Sequence, residues 1–186
     1  MITSLANLIS NLHIWQKPLY SYDMKNLHED YLRSILFGLQ DGLVSTTGVV
    51  VGIATGVHDK PIIVLAALVA VTVEASSMAA GQYSSEKAVH QLDKIGKHTD
   101  NLAMGTALMF VSYFIAGMIP ISPILLLDLS IAPMVSVTLA FIFLFIVGFV
   151  KGKIVEHQAL KSAIEMFIIG GIATTLGLIV GHLLKV

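Results

Sequence analysis

Two carboxylates stand where a hydrophobic chain has little reason to keep them. Asp41 lies in the apolar run from Leu32 to Val57, and Glu74 in the run from Pro61 to Ser85. A charge at mid-membrane costs about 2.5–3.5 kcal/mol on insertion scales, and such residues usually mark a pathway or site. From Glu74, Met78, Gln82 and Glu86 follow at steps of four, so in a helix they form a slowly drifting ladder on one face. The ladder reads carboxylate, thioether, amide, carboxylate. Hard oxygens with one soft sulfur suit a borderline divalent metal better than Mg2+ alone. Each residue also has a plainer use: a buried carboxylate can bond Ser45 or Thr72, and a lone Met is commonly a packing residue. Hydrolytic zinc chemistry is poorly served, because the chain has no Cys and no His pair at helical spacing.

The two carboxylates gain meaning from the elements that carry them. The chain has 186 residues, 55% hydrophobic and 12% charged, about half the charge of an average soluble domain. This excludes a disordered chain and an ordinary cytosolic enzyme. With 11 Lys+Arg against 12 Asp+Glu there is no basic footprint for nucleic acid. Five runs are long enough to cross a hydrocarbon core as helices: Leu32–Val57, Pro61–Ser85, Leu102–Leu127, Leu129–Val150 and Met166–Leu184. They are continuous and do not alternate with period two, which excludes barrel strands. The expected fold is all-α, a polytopic membrane protein with five transmembrane helices. Its expected domains are an N-terminal cytoplasmic or interfacial segment 1–30 and a five-helix transmembrane domain 31–186. Pro120 and Pro123 predict an early end to the third helix.

Lys and Arg set the expected orientation. Lys17, Lys25, Arg33, Lys87, Lys94, Lys97, Lys151, Lys153 and Lys161 fall on one side, and Lys60 and Lys185 on the other. The N-terminus is therefore expected in the cytoplasm. On this topology Asp41, nine residues past Leu32, lies ~14 Å into the first helix. Glu74, eleven residues before Ser85, lies ~17 Å from the cytoplasmic end of the second. Antiparallel neighbours bring both carboxylates to a similar depth, where they can face one another. Before the first span, Ile2, Leu5, Leu8, Ile9 and Leu12 recur at helical spacing, which fits an amphipathic surface helix or, equally, a partly disordered leader. Ser45, Gly48, Gly52 and Gly56, and again Ala173, Gly177 and Gly181, form small-residue faces for helix contact within a chain or across a dimer. Gly42, beside Asp41, leaves room for an ion or water.

The segments LRSILFGLQDGLVSTTGVVVG (Leu32–Gly52), VEASSMAAGQYSS (Val73–Ser85), FIAGMIPISPILL (Phe114–Leu126) and MFIIGGIATTLGLIVGHLL (Met166–Leu184) together resemble the vacuolar iron transporter family, including its nodulin-like branch. The resemblance runs in order from about His28 to the C-terminus. It implies a dimeric five-helix transporter that moves Fe2+, and often Mn2+, out of the cytosol in exchange for protons. By position, Asp41, Glu74 and Met78 match the family's intramembrane metal-path residues, with Gln82 and Glu86 continuing toward the cytosol and Asp41 and Glu74 coupling protons. No permanently bound cofactor is implied, since the metal and the protons are substrates. The membrane would be the plasma membrane of a prokaryote or a vacuolar or other internal membrane of a eukaryote.

Three departures stand out. Ser34 replaces a second acidic residue that some members carry, Gln82 replaces a common Glu, and the Glu86–Asn101 connector is too short for the Glu-rich metal-collecting domain of iron-storing members. Glu86, His90, Asp93 and His98 could form a reduced collecting surface or simply a solvated connector. Other classes fare worse. Asp41-Gly42 superficially matches the start of a head-group transferase site, but LVSTTG lacks the residues that follow there. The HxxxH-type clusters of lipid desaturases are absent. An exporter preferring Mn2+ or another divalent ion, and a non-transporting membrane adaptor, are the remaining alternatives.

Overall fold

The computed structural model describes residues 25–92, 101–156 and 158–184. The expected amphipathic segment at residues 2–12 lies outside them, as do Asp93 and His98. Five helices result: α1 (Lys25–Gly56), α2 (Lys60–Leu92), α3 (Leu102–Leu126), α4 (Ala132–Lys151) and α5 (Ala159–Leu183). All five are long and apolar enough to cross a membrane, and the protein is a multi-pass integral membrane protein. Outward-facing Leu65, Val69, Ile142, Ile172 and Leu176 are exposed, as a lipid-facing surface requires.

The elements start and stop for local reasons. The α1–α2 turn ends at Asp59, whose Oδ1 accepts the Ile62 N–H at 3.1 Å, an N-cap that fills an orphan donor of the first turn. Lys60 then reaches across to donate to the Leu127 carbonyl at 3.0 Å. Asn101 caps α3 in the same way, accepting from Ala103 and Met104, while its own N–H donates to the Tyr31 hydroxyl at 3.2 Å. The connector after Glu86 is shorter than the sequence suggests, because α2 continues to Leu92. Likewise α5 begins at Ala159, seven residues before the apolar run, and the polar stretch between is a π-turn at Gly152–Glu156.

Pro120 and Pro123 do not end α3, which runs on to Leu126. A proline at position i leaves the carbonyl at i−4 without its helical donor. Here the Ser122 hydroxyl donates to the Ile119 carbonyl at 2.8 Å, taking the place of the missing Pro123 N–H. Ser136 of α4, fully buried, donates to the Pro120 carbonyl at 2.7 Å. Within hydrocarbon, neighbouring hydroxyls of this kind keep a proline-bearing helix intact.

α1 is the central helix. It touches all four others, most extensively α3 and α5, while α2 leans chiefly on α3. The two small-residue faces find each other inside the chain: Gly48 lies against Ala173, Gly52 against Gly177 and Gly56 against Gly181. The constant offset makes α1 and α5 parallel. A Cβ on Gly52 would sit 2.8 Å from the Gly177 carbonyl oxygen, so only small residues permit this approach. A second close approach joins α1 to α3. The space beside Gly42 does not admit an ion or water, because the backbone carbonyl of Tyr113 occupies it.

Candidate metal path

The α1–α3 contact sets the first tier of the site. With Gly38 and Gly42 lying against the α3 backbone at Met109–Tyr113, the Tyr113 side chain is 1% exposed. Its hydroxyl donates to Glu74 Oε2 at 2.5 Å. Ser45 Oγ donates to the same oxygen at 3.0 Å, and the two hydroxyls are themselves in hydrogen-bond contact. Thus three helices converge on one carboxylate oxygen. Asp41, one turn from Ser45 on α1, is partly buried and lies within electrostatic range of Glu74 and Tyr113.

Thr72 is not part of this tier, since its hydroxyl donates to its own helix at Leu68. Met78, one turn from Glu74, is half-buried and packs against the apolar cluster that includes Val71, Ala75 and Tyr113.

A second tier lies twelve residues along α2, ~18 Å from the first. Gln82 Nε2 donates to Ser34 Oγ at 3.0 Å and to Glu86 Oε1 at 3.3 Å. Glu86 is 9% exposed and pairs with Arg33 of α1, whose guanidinium also lies 3.5 Å from Asp30. The α2 ladder is thus split by its Met78 turn into two polar groups, each tied to α1. Among the described residues, no three His, Cys, Asp or Glu side chains come together. An ion at the first tier would meet Asp41 and Glu74 with neutral oxygens beside them.

Tyr113 and Arg33 were not among the residues singled out by type and spacing. Tyr113 carried a faint signal as a polar tip within an uncharged span. Arg33 was visible only as the charge that opens the first span.

The sequence profile of the VIT (vacuolar iron transporter) family matches residues 32–103 and 88–182, which includes every side chain of both tiers except Asp30. The chain belongs to the VIT family. A further relative is an uncharacterized protein of Methanocaldococcus jannaschii, 28% identical over 157 residues that cover 74% of this chain and 82% of that one. VIT family membership makes this a membrane protein of a metal-transporting family and accords with a chain that carries no enzyme motif.

Proposed function

We propose that this VIT family protein exports Fe2+, and Mn2+ with it, from the cytosol in exchange for protons, and that Asp41 and Glu74 form the intramembrane binding site. The reading is carried by one observation: Glu74 is held by Tyr113 and Ser45 on one oxygen while Asp41 lies within electrostatic range of it. An ion arriving from the Lys/Arg-rich end passes Glu86 and Gln82, then the Met78 thioether, and reaches the two carboxylates. Metal ligands must be deprotonated, so ion and protons compete for the same oxygens. Two protons returning for one divalent ion would move no net charge, avoiding ~2.3 kcal/mol per charge for each 100 mV. A homodimer fits this reading, because a second copy could complete a donor set that one chain leaves at two carboxylates.

The direct test is uptake of Fe2+ into proteoliposomes under an imposed pH gradient. Asp41→Asn and Glu74→Gln should each abolish gradient-driven uptake while the purified proteins remain folded. Unchanged uptake in both would remove the site from consideration.

A preference for Mn2+ is favoured by the position of Met78. Its side chain packs in the apolar cluster, which leaves carboxylate and hydroxyl oxygens as the nearer donors, a set suited to Mn2+. Competition between Fe2+, Mn2+ and Zn2+ in the same vesicles separates the two.

A further inference from the structure

We propose that Arg33 is a resident cation of the path's mouth: it occupies Glu86 in the absence of a substrate ion, must be displaced by it, and thereby selects divalent over monovalent cations. The inference rests on the reading of Asp41 and Glu74 as an ion site and assigns a role to a residue outside that site.

The two partners of the ion pair differ in a decisive way. The side chain of Glu86 is 12% exposed and that of Arg33 58%. A buried carboxylate stripped of its counter-charge is strongly disfavoured, so Glu86 keeps some cation against it. Arg33, by contrast, is already largely in water, so the guanidinium itself loses little by turning away once another cation has taken its place beside Glu86. It also has somewhere to go: Asp30, one turn back on α1, already lies 3.5 Å from the guanidinium. The exchangeable member is therefore the cation, and the fixed member is the carboxylate.

The surroundings of Glu86 favour a small ion as the replacement. Gln82, one turn up the same helix, shares Glu86 Oε1 with Arg33 and reaches Ser34. Ser34 is buried, and its hydroxyl oxygen and the Glu86 carboxylate are oxygen donors of one small cluster between α1 and α2, bridged by the Gln82 amide nitrogen. Of its four neighbours α1 packs least against α2, and this cluster is one of the places where the two helices are tied together.

Selectivity follows from charge and tethering. A monovalent ion offers Glu86 no more charge than the guanidinium does, and it competes against a group held at high effective concentration by its own chain. A divalent ion offers twice the charge.

Mn2+ uptake into proteoliposomes at fixed pH gradient tests this, with potassium as the monovalent challenger. Arg33→Gln should lower the KM for Mn2+ about tenfold, the scale of one charge-assisted hydrogen bond, leave kcat near wild type, and make uptake sensitive to excess potassium. Arg33→Lys, which keeps the charge but loses the fork, should fall between the two; it carries the test if Arg33→Gln does not fold. Glu86→Gln should raise the KM, and adding Arg33→Gln to it should change nothing more. The proposal is overturned if the Arg33 variants keep the wild-type KM and potassium resistance, or if the two substitutions act additively. Either result leaves the ion site standing so long as Asp41→Asn and Glu74→Gln still abolish uptake. Wild-type uptake in those two would instead remove the underlying reading.

Discussion

Tyr113 of α3 donates its hydroxyl hydrogen to Glu74 Oε2 of α2 at 2.5 Å, and the two residues are also joined through Ser45 of α1. One oxygen of the carboxylate is thereby saturated with donors, which leaves the other as the oxygen with capacity for an ion. The same bond fixes the rotamer of Glu74 from a residue that is itself immobile in the core. Pre-organisation of this kind is what a ligand needs if binding is not to be paid for in side-chain entropy.

The first prediction concerns this bond. Tyr113→Phe keeps the ring and removes the donor. It should destabilise the detergent-solubilised protein by ~1–3 kcal/mol, the usual cost of a buried polar group losing a partner, and should slow gradient-driven metal uptake. Ser45→Ala should do the same less severely. Because both hydroxyls serve one oxygen, the double variant should lose less than the sum of the two, with a coupling of about 0.5–3 kcal/mol. Thermal melts and uptake rates of the four proteins close the cycle, and strict additivity would show that the two donors do not act on Glu74 together.

The second prediction contrasts two glycines of similar sequence setting. A Cβ on Gly42 would meet the Tyr113 carbonyl, whereas one on Gly81 would meet nothing within 4 Å. Backbone atoms cannot turn aside as a flexible side chain can, so Gly42→Ala must move α1 away from α3. It should cost ~1–3 kcal/mol, as overpacked sites do, and carry Asp41 out of register with Glu74. Gly81→Ala should change stability by no more than ~0.5 kcal/mol. Parallel melting curves decide between them, and equal effects would remove the close approach from the account of this site.

The spans and the small faces were legible because each rests on spacing along one helix. The partner of each face was not. Ala173, Gly177 and Gly181 advertise close contact, but a one-dimensional pattern does not say that the receiving face is Gly48, Gly52 and Gly56 of the same chain. Pro120 and Pro123 misled for a different reason: the donor that replaces the missing Pro123 N–H is the hydroxyl of Ser122 within α3 itself, a local bond that the proline spacing does not announce. Tyr113 escaped notice because its value lies in what α1 allows it to reach. The cluster of Arg33, Ser34, Gln82 and Glu86 mixes both cases, with two members visible on the α2 ladder and two supplied by α1.

The third prediction follows from the parallel seam of α1 and α5. Without a hydrophobic force between helices in lipid, their association relies on close packing of small residues. Gly52→Leu should therefore part α1 from α5 over several turns, whereas Leu176→Ala, at an exposed position, should leave the seam intact. Cysteines placed at Ile53 and Val180, which line the same groove between α1 and α5 and already carry side chains, offer the measurement in this cysteine-free chain. Their cross-linking should be efficient in an otherwise wild-type background and should drop sharply with Gly52→Leu. Undiminished cross-linking would mean that the seam does not depend on Gly52.

The last prediction uses three consecutive hydroxyls of α1 that face three different environments. Ser45 reaches Glu74. Thr47 donates back to the Leu43 carbonyl at 2.5 Å. Thr46, 1% exposed, has an Oγ1 with no hydrogen-bond partner among the described residues and lies so close to α3 that a Cβ on Gly117 would sit 2.7 Å from it. An unsatisfied buried hydroxyl is a standing penalty, and replacing it with a methyl of the same shape removes the penalty without opening a cavity. Thr46→Val should accordingly be neutral or raise stability by about 1 kcal/mol. Ser45→Val should be the damaging member of the series, because it strips Glu74 of a donor and adds bulk beside Tyr113. Thr47→Val should be nearly silent, since a back-bonded threonine adds little to a helix that already has its ladder bonds. The order Thr46, Thr47, Ser45 in thermal stability is the expected result. A marked loss from Thr46→Val would reveal that its hydroxyl serves a partner, such as a buried water, in the membrane-embedded protein.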